Sequence, residues 1–228
     1  MNAMTPLGIL RDYQLEAIDH LWKSWDAGMT RVPMVLATGL GKTKIFTRVV
    51  WKWLQENPGK RVLVIAHTDE LISQAVAEMS AANQGTRVGI VKGVKFNDVS
   101  APIIISSRQT LQSLKRREQI KRVGLIVIDE AHHAVRENTY GVILDHFGAY
   151  DIDPRCVVAG FTATLSRGDK SKLSALWEAK PDKFDNEKYG WGTWEGTFKR
   201  MEGYAIMRCS QSRELRREDV ALLWRQGW

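Results

Sequence analysis

Five short, nearly unbroken apolar runs decide what this chain can fold into: Val32–Leu36, Arg61–Ala66, Pro102–Ser106, Val123–Ile128 and Cys156–Phe161. Runs of this kind suit parallel strands that are covered on both faces. All fall well short of the ~20 apolar residues that span a bilayer, so no membrane partner is expected. The stretches between them carry apolar residues at helical spacing. One helix is predicted from an Asp12 N-cap, burying Leu15, Ile18, Leu21, Trp22 and Trp25. A second is predicted over Lys44–Leu54, burying Ile45, Phe46, Val49, Val50 and Trp53. Others are expected from Thr68 or Asp69 to about Ala82, after Ser107, and over 137–147. Arg87–Val91 reads as a further strand, and Lys92–Ala101 as a loop. Strand and helix in alternation predict an α/β fold, an open and mostly parallel sheet with right-handed crossovers and helices on both faces. Ligands of such sheets gather at the carboxyl ends of the strands.

The residues found at those ends carry chemistry. Ala37-Thr38-Gly39-Leu40-Gly41-Lys42-Thr43 lies between the first strand and its helix. A glycine turn there lets backbone N–H groups cradle phosphates, while the lysine reaches the β/γ oxygens and the threonine holds Mg²⁺. The full pattern has glycine at position 36, where this chain has Leu36. Downstream, the most apolar strand ends in Asp129-Glu130-Ala131-His132-His133. A strand-terminal carboxylate pair suits a magnesium–nucleotide site, with Asp129 on the metal and Glu130 orienting the attacking water.

Charge and cysteine content narrow the setting. The net charge is +7 and the isoelectric point about 9.5, spread along the chain rather than held in a tail, which favours a polyanionic partner. Lys115-Arg116-Arg117, followed by Lys121-Arg122, is the densest basic cluster; it reads equally as a solvated helix face. Two cysteines, Cys156 and Cys209, exclude a disulfide framework and a multi-cysteine zinc site. Residues 1–10 lack the layout of a signal peptide, so a cytoplasmic protein is expected.

Taken together, the motifs resemble those of superfamily 2 helicases. Leu10-Arg-Asp-Tyr-Gln14 is similar to the adenine-recognition motif, residues 37–43 to Walker A, Asp129–His132 to a DEAH box and Thr162-Ala163-Thr164 to motif III. Ile65–Leu71 and Ser106–Leu111 resemble motifs Ia and Ib. The nearest flavour is the group of type III restriction-enzyme motor subunits, XPB-like proteins and phage helicases, and a phage or bacterial source is expected. The resemblance implies a RecA-like phosphate-loop NTPase lobe that uses ATP and Mg²⁺. Gln14 and Arg11 would read adenine. Thr38, Gly39, Leu40, Gly41, Lys42 and Thr43 would hold the nucleotide, with Thr43 and Asp129 at the metal. Lys42, Asp129 and Glu130 would be catalytic, and His132 would couple the nucleotide state to Thr162 and Thr164. Thr68, Thr110 and Arg108 would touch nucleic acid, DNA in preference to RNA, although the two threonines could equally be helix caps. His133 has no role in this scheme, and His20 and His146 read as surface or packing residues.

The resemblance covers residues 10–164, so the expected organisation is a lobe over 1–168 and a C-terminal extension over 169–228. The extension holds Trp177, Trp191, Trp194, Trp224 and Trp228, with a possible helix over Ser212–Trp224. The motifs of a second RecA-like lobe, with its arginine finger, are not found there. Such a lobe is expected from another chain or a longer parent, and turnover by this lobe alone is expected to be weak. The main alternative is a non-catalytic module in which ATP gates attachment to nucleic acid or protein. A phosphate-loop ATPase unrelated to nucleic acid would leave Gln14 and Thr162–Thr164 unexplained.

Overall fold

In the computed structural model the described residues are 10–36, 40–66, 69–82, 85–93, 96–163 and 176–177. Thr38, Gly39, Thr68, Thr164, Cys209, the tryptophans from 191 onward and the expected helix over 212–224 lie outside them. The chain runs α1 (Asp12–Asp26), β1 (Arg31–Val35), α2 (Lys42–Glu56), β2 (Arg61–Ala66), α3 (Asp69–Ala82), β3 (Val88–Lys92), β4 (Phe96–Asn97) and β5 (Ile103–Ser107). It continues through α4 (Arg108–Leu111), α5 (Leu114–Gln119), β6 (Val123–Asp129), a 3₁₀ turn (Ala131–His133), α6 (Thr139–His146) and β7 (Val157–Thr162). The strands form one sheet in the order β1-β7-β6-β2-β5-β3-β4. All pairs are parallel except β3 with β4. Pro33, which cannot donate to a ladder, is tolerated because β1 pairs only with β7 and so forms an edge.

Alternate residues of the central strands feed two cores. Val62, Val64, Leu125 and Val127 face α1, α2 and α3, where Ile18, Leu21, Phe46, Val49 and Met79 are buried. Leu63, Ile65, Ile126 and Ile128 face the other layer, with Tyr140, Ile143 and Leu144 of α6. Each such side chain removed from water contributes about 1.5–3 kcal/mol, and this two-sided burial is why the runs are continuous rather than alternating. Among the described residues no helix is long and apolar enough to cross a membrane.

Several local expectations are corrected. The N-cap of α1 is Arg11, not Asp12, because the Gln14 side chain accepts from Arg11 N at 3.0 Å and closes the end one residue earlier. Helix α2 begins at Lys42, so the lysine and threonine of the phosphate loop occupy its first turn. The helical stretch after Ser107 is two short helices: the Arg117 guanidinium, 6% exposed, donates to Leu111 O and Gln112 O, filling the acceptors where α4 stops. Inside the expected 92–101 loop, Phe96–Asn97 forms a small antiparallel strand. The basic cluster is thereby divided. Arg117 is a buried cap, Arg116 donates to Asn97 Oδ1 and Gly93 O, and Lys115 stays exposed.

Beyond the expected lobe boundary, Leu176 and Trp177 are buried in the second core. Arg31 of the edge strand reaches both this segment and the α6–β7 connection, donating to Leu176 O at 2.9 Å and to Ala149 O at 2.6 Å.

Candidate nucleotide site

Helix α2 is preceded by Gly41 as its N-cap, whose φ of +75° is costly for a residue with a Cβ. The turn aims the free N–H groups of the first helical turn, with Lys42 and Thr43, towards the carboxyl edge of the sheet, an arrangement suited to an anion. Gln14 is locked against this loop. It is 4% exposed, and its Nε2 donates to Leu40 O at 3.0 Å. Tyr13 donates to the same carbonyl through its hydroxyl at 2.9 Å. A Cβ on Gly41 would stand 2.7 Å from Gln14 Nε2. The expected adenine-reading residue is thus physically part of the phosphate-loop wall. Arg11 is the N-cap of α1, the helix that carries Gln14, and is exposed.

The acidic pair lies at the end of β6, two strands in from β1. Burial pushes the Asp129 carboxyl above its usual range and repulsion from Glu130 adds to this; the Glu130 N–H, donated to Asp129 Oδ1 at 3.0 Å, and the Lys42 charge oppose it. The Lys42 charge, in the first turn of α2, is thus felt at the end of β6. Glu130 is held at φ 52°, ψ 51°, a left-handed conformation for a residue with a side chain. Strain of this kind costs on the order of 1–3 kcal/mol and clusters at functional sites. It starts a tight turn that brings His132 back over the strand ends. There His132 Nδ1 sits 2.9 Å from Thr162 Oγ1 and 3.2 Å from Glu130 Oε2. A carboxylate only accepts, so the tautomer with hydrogen on Nδ1 satisfies Glu130. The His133 ring packs on His132 with centroids 4.0 Å apart.

Of the other expected residues, Arg108 and Thr110 are described and follow β5 along the same edge. The Thr110 hydroxyl lies 3.0 Å from Ser107 Oγ, and its N–H donates to that oxygen at 3.2 Å. Ser107, not Thr110, is the cap of α4. Arg108 Nη1 donates to Thr139 Oγ1 at 3.4 Å and its guanidinium lies 6.0 Å from the Tyr140 ring centre. The structure brings Gln14, Leu40 and Gly41 together in one group, and Glu130, His132 and Thr162 in another. His20 is no surface residue: burial lowers its pKa to about 4, and its Nε2 lies 3.1 Å from Ser24 Oγ.

One contributor had no local signal. A Cβ on Gly160 of β7 would fall 2.3 Å from the Trp177 ring and 2.8 Å from the Ala131 Cβ. Trp177, 3% exposed, therefore packs beneath the turn that carries Glu130 and His132. Only an isolated tryptophan marked the position in the sequence.

Among the described residues no group of three His, Cys, Asp or Glu side chains could cage a metal. The oxygen donors present, the Thr43 hydroxyl and the Asp129 carboxylate, are of the hard type that magnesium accepts alongside phosphate oxygens and water.

Residues 8–167 match the family described as "Type III restriction enzyme, res subunit". IRC3 of Saccharomyces cerevisiae, whose name groups it with ATP-dependent helicases, is 38% identical over 176 residues, covering 75% of this chain and 25% of its own length. The type I restriction enzyme EcoAI endonuclease subunit of Escherichia coli is 30% identical over 147 residues, covering 61% of this chain and 18% of its own. This chain thus spans a quarter or less of the length of these relatives. Among solved structures, the SWI2/SNF2 ATPase core of Sulfolobus solfataricus in complex with dsDNA matches with a TM-score of 0.59 and 20% identity, over 87% of this chain and 40% of that one. The fold is that of a RecA-like lobe.

Proposed function

As this chain belongs to the family of the type III restriction enzyme res subunit, we propose that it is the ATP-binding lobe of a helicase-type motor, driven by ATP and acting on nucleic acid. The observation that carries this reading is the contact of His132 with both Glu130 and Thr162, at the ends of β6 and β7, the two strands next in the sheet to the strand of the phosphate loop. A site that only bound nucleotide would have no use for a link between its acidic pair and the next strand.

In this reading the α2 N-terminus and Lys42 bind the triphosphate, and Gln14, fixed by Leu40, presents its remaining amide valences to adenine. Thr43 and Asp129 would hold Mg²⁺, which when bound neutralises the phosphate oxygens. Glu130 orients the attacking water and takes its proton. His132 reports the state of Glu130 to Thr162. Thr68, Thr110, Arg108 and Thr164 belong to the nucleic-acid and coupling face. We favour DNA over RNA, in keeping with the restriction-enzyme relatives, and a second lobe completing the site with an arginine. A phage or bacterial source and a cytoplasmic setting complete the proposal, in keeping with Cys156 as a buried free thiol.

Steady-state ATP hydrolysis with and without single- and double-stranded DNA and RNA tests it. Lys42→Ala is expected to weaken nucleotide binding at least tenfold. Glu130→Gln is expected to keep binding and lower turnover by roughly 10²–10⁴, the usual scale for a lost general base. Wild-type protein that binds no nucleotide at millimolar magnesium–ATP would end the proposal.

A further inference from the structure

The strands that carry the nucleotide site at their carboxyl ends open at their amino ends onto a second, quite different cleft. It has a volume of about 620 Å³, and Lys60, Lys121, Arg122, His146 and Arg155 line it over an apolar wall that includes Phe147. No carboxylate lines it. Lys60, Lys121, Arg122 and Arg155 are all exposed. Arg155 is shared with Asp151, which accepts from its Nε at 2.8 Å. Lys60, Lys121 and Arg122 have no ion-pair partner among the described residues. Burial first, then the Arg117 and Lys121 charges, lower the proton affinity of His146, against a backbone hydrogen bond with Arg117 and a pull from Glu118.

The backbone is organised for this display. Arg122 holds φ 60°, a left-handed conformation that a side chain adopts only when its surroundings impose it. Arg61 imposes it, donating its N–H to Arg122 O at 2.8 Å and its Nη1 to Lys121 O at 2.9 Å. The two carbonyls are thereby tied to β2, while both cationic side chains remain exposed beside the cleft. Strand β6 has seven residues, so at roughly 3.3 Å per residue this cleft lies about 20 Å from the acidic pair.

We infer that this cleft is a phosphate-backbone binding site, a second nucleic-acid contact on the side of the lobe opposite the nucleotide. Three of its four cations, Lys60, Lys121 and Arg122, have no ion-pair partner among the described residues, its aromatic ring is buried rather than offered for stacking, and the whole chain is positively charged. Recognition is therefore electrostatic and indifferent to sequence. The inference rests on the nucleic-acid reading above but places the contact where that reading needs none.

The test is fluorescence anisotropy of the full chain with labelled 30-nucleotide single strands and 30-base-pair duplexes, titrated across salt. The variants are Lys60→Glu/Lys121→Glu/Arg122→Glu and, keeping falsifiability if that one misfolds, Lys60→Gln/Lys121→Gln. The triple variant is expected to bind at least tenfold more weakly, with a salt slope shallower by about 2–3, one unit per lost phosphate contact. The double variant should lose about 2 of those units. Nucleotide binding should be unchanged in both. Wild-type affinity and slope in a folded variant overturn the inference while leaving the motor reading standing. Tripolyphosphate binding that the variants abolish, without any change in oligonucleotide binding, overturns it in favour of a small-anion site. Absence of oligonucleotide binding by the wild-type chain overturns it together with the nucleic-acid part of the proposed function, whereas the Lys42→Ala comparison still reports on the nucleotide part.

Discussion

Gln14 and Gly41 leave no room for a side chain between them: a Cβ on Gly41 would lie 2.7 Å from Gln14 Nε2. The helix that precedes the first strand therefore meets the end of the phosphate loop, Leu40 and Gly41, directly through one amide.

Gly41→Ala should consequently fail for two separable reasons. Its φ of +75° costs an L-residue about 1–2 kcal/mol, and the methyl group displaces Gln14 from Leu40 O. We expect at least a tenfold loss of affinity for a fluorescent ATP analogue. Adding Gln14→Ala relieves the collision but not the backbone strain, so the double variant should recover part of the phosphate affinity without regaining preference for adenine over guanine. Full recovery would show that strain plays no part.

Thr162→Val keeps volume and removes the hydroxyl that meets His132 at 2.9 Å. Losing one buried hydrogen bond costs on the order of 1 kcal/mol, so the fold should persist. Nucleotide affinity is expected within twofold of wild type, and the stimulation of turnover by nucleic acid should fall about tenfold. If affinity falls and stimulation does not, Thr162 acts on the nucleotide and not on its coupling.

His20 makes stability pH-dependent. Burial lowers its folded-state pKa from 6.5 to about 4, so between those values the unfolded chain binds a proton that the folded chain refuses. Stability is thus complete above pH 6.5 and declines as pH falls towards 4. The contribution lost between pH 7 and pH 5 is about 2 kcal/mol. Urea midpoints at the two pH values should show a smaller drop in His20→Gln than in wild type; equal drops would remove His20 from the account.

Trp177→Ala opens a cavity against Gly160 and Ala131. The cost is expected at about 3–5 kcal/mol, measured by denaturant unfolding. Because the ring packs beneath the Glu130 turn, turnover at saturating ATP should fall even where the variant is folded. Loss of stability with unchanged turnover would make Trp177 packing only.

The legible parts were those written in local pattern. The run Val123–Ile128 ending in Asp129 and Glu130 specifies a buried strand with charge at its tip, and β6 is just that. The spacing of Ile45, Phe46, Val49, Val50 and Trp53 named the buried face of α2 correctly. What escaped was long-range. Arg117 reads as one more surface cation in a basic cluster, and only the fold shows it reaching the last carbonyls of α4. The pairing of Gln14 with Leu40 spans 26 positions, and Trp177 meets Ala131 only because Gly160 is bare. For His20 the sequence left surface and packing both open, because one histidine carries no periodicity, and the fold shows it packed against Ser24.

Strand β7 lies between the strand of the phosphate loop and the strand of the acidic pair, with Thr162 opposite Val35 on one side and Phe161 opposite Asp129 on the other. It is a common ruler for two halves of one site that never touch as neighbouring strands. A slip of a single residue would turn every β7 side chain to the opposite face and break both ladders at once. The loop and the carboxylates therefore cannot drift apart independently, and evolution can vary either only within the tolerance that this strand allows the other.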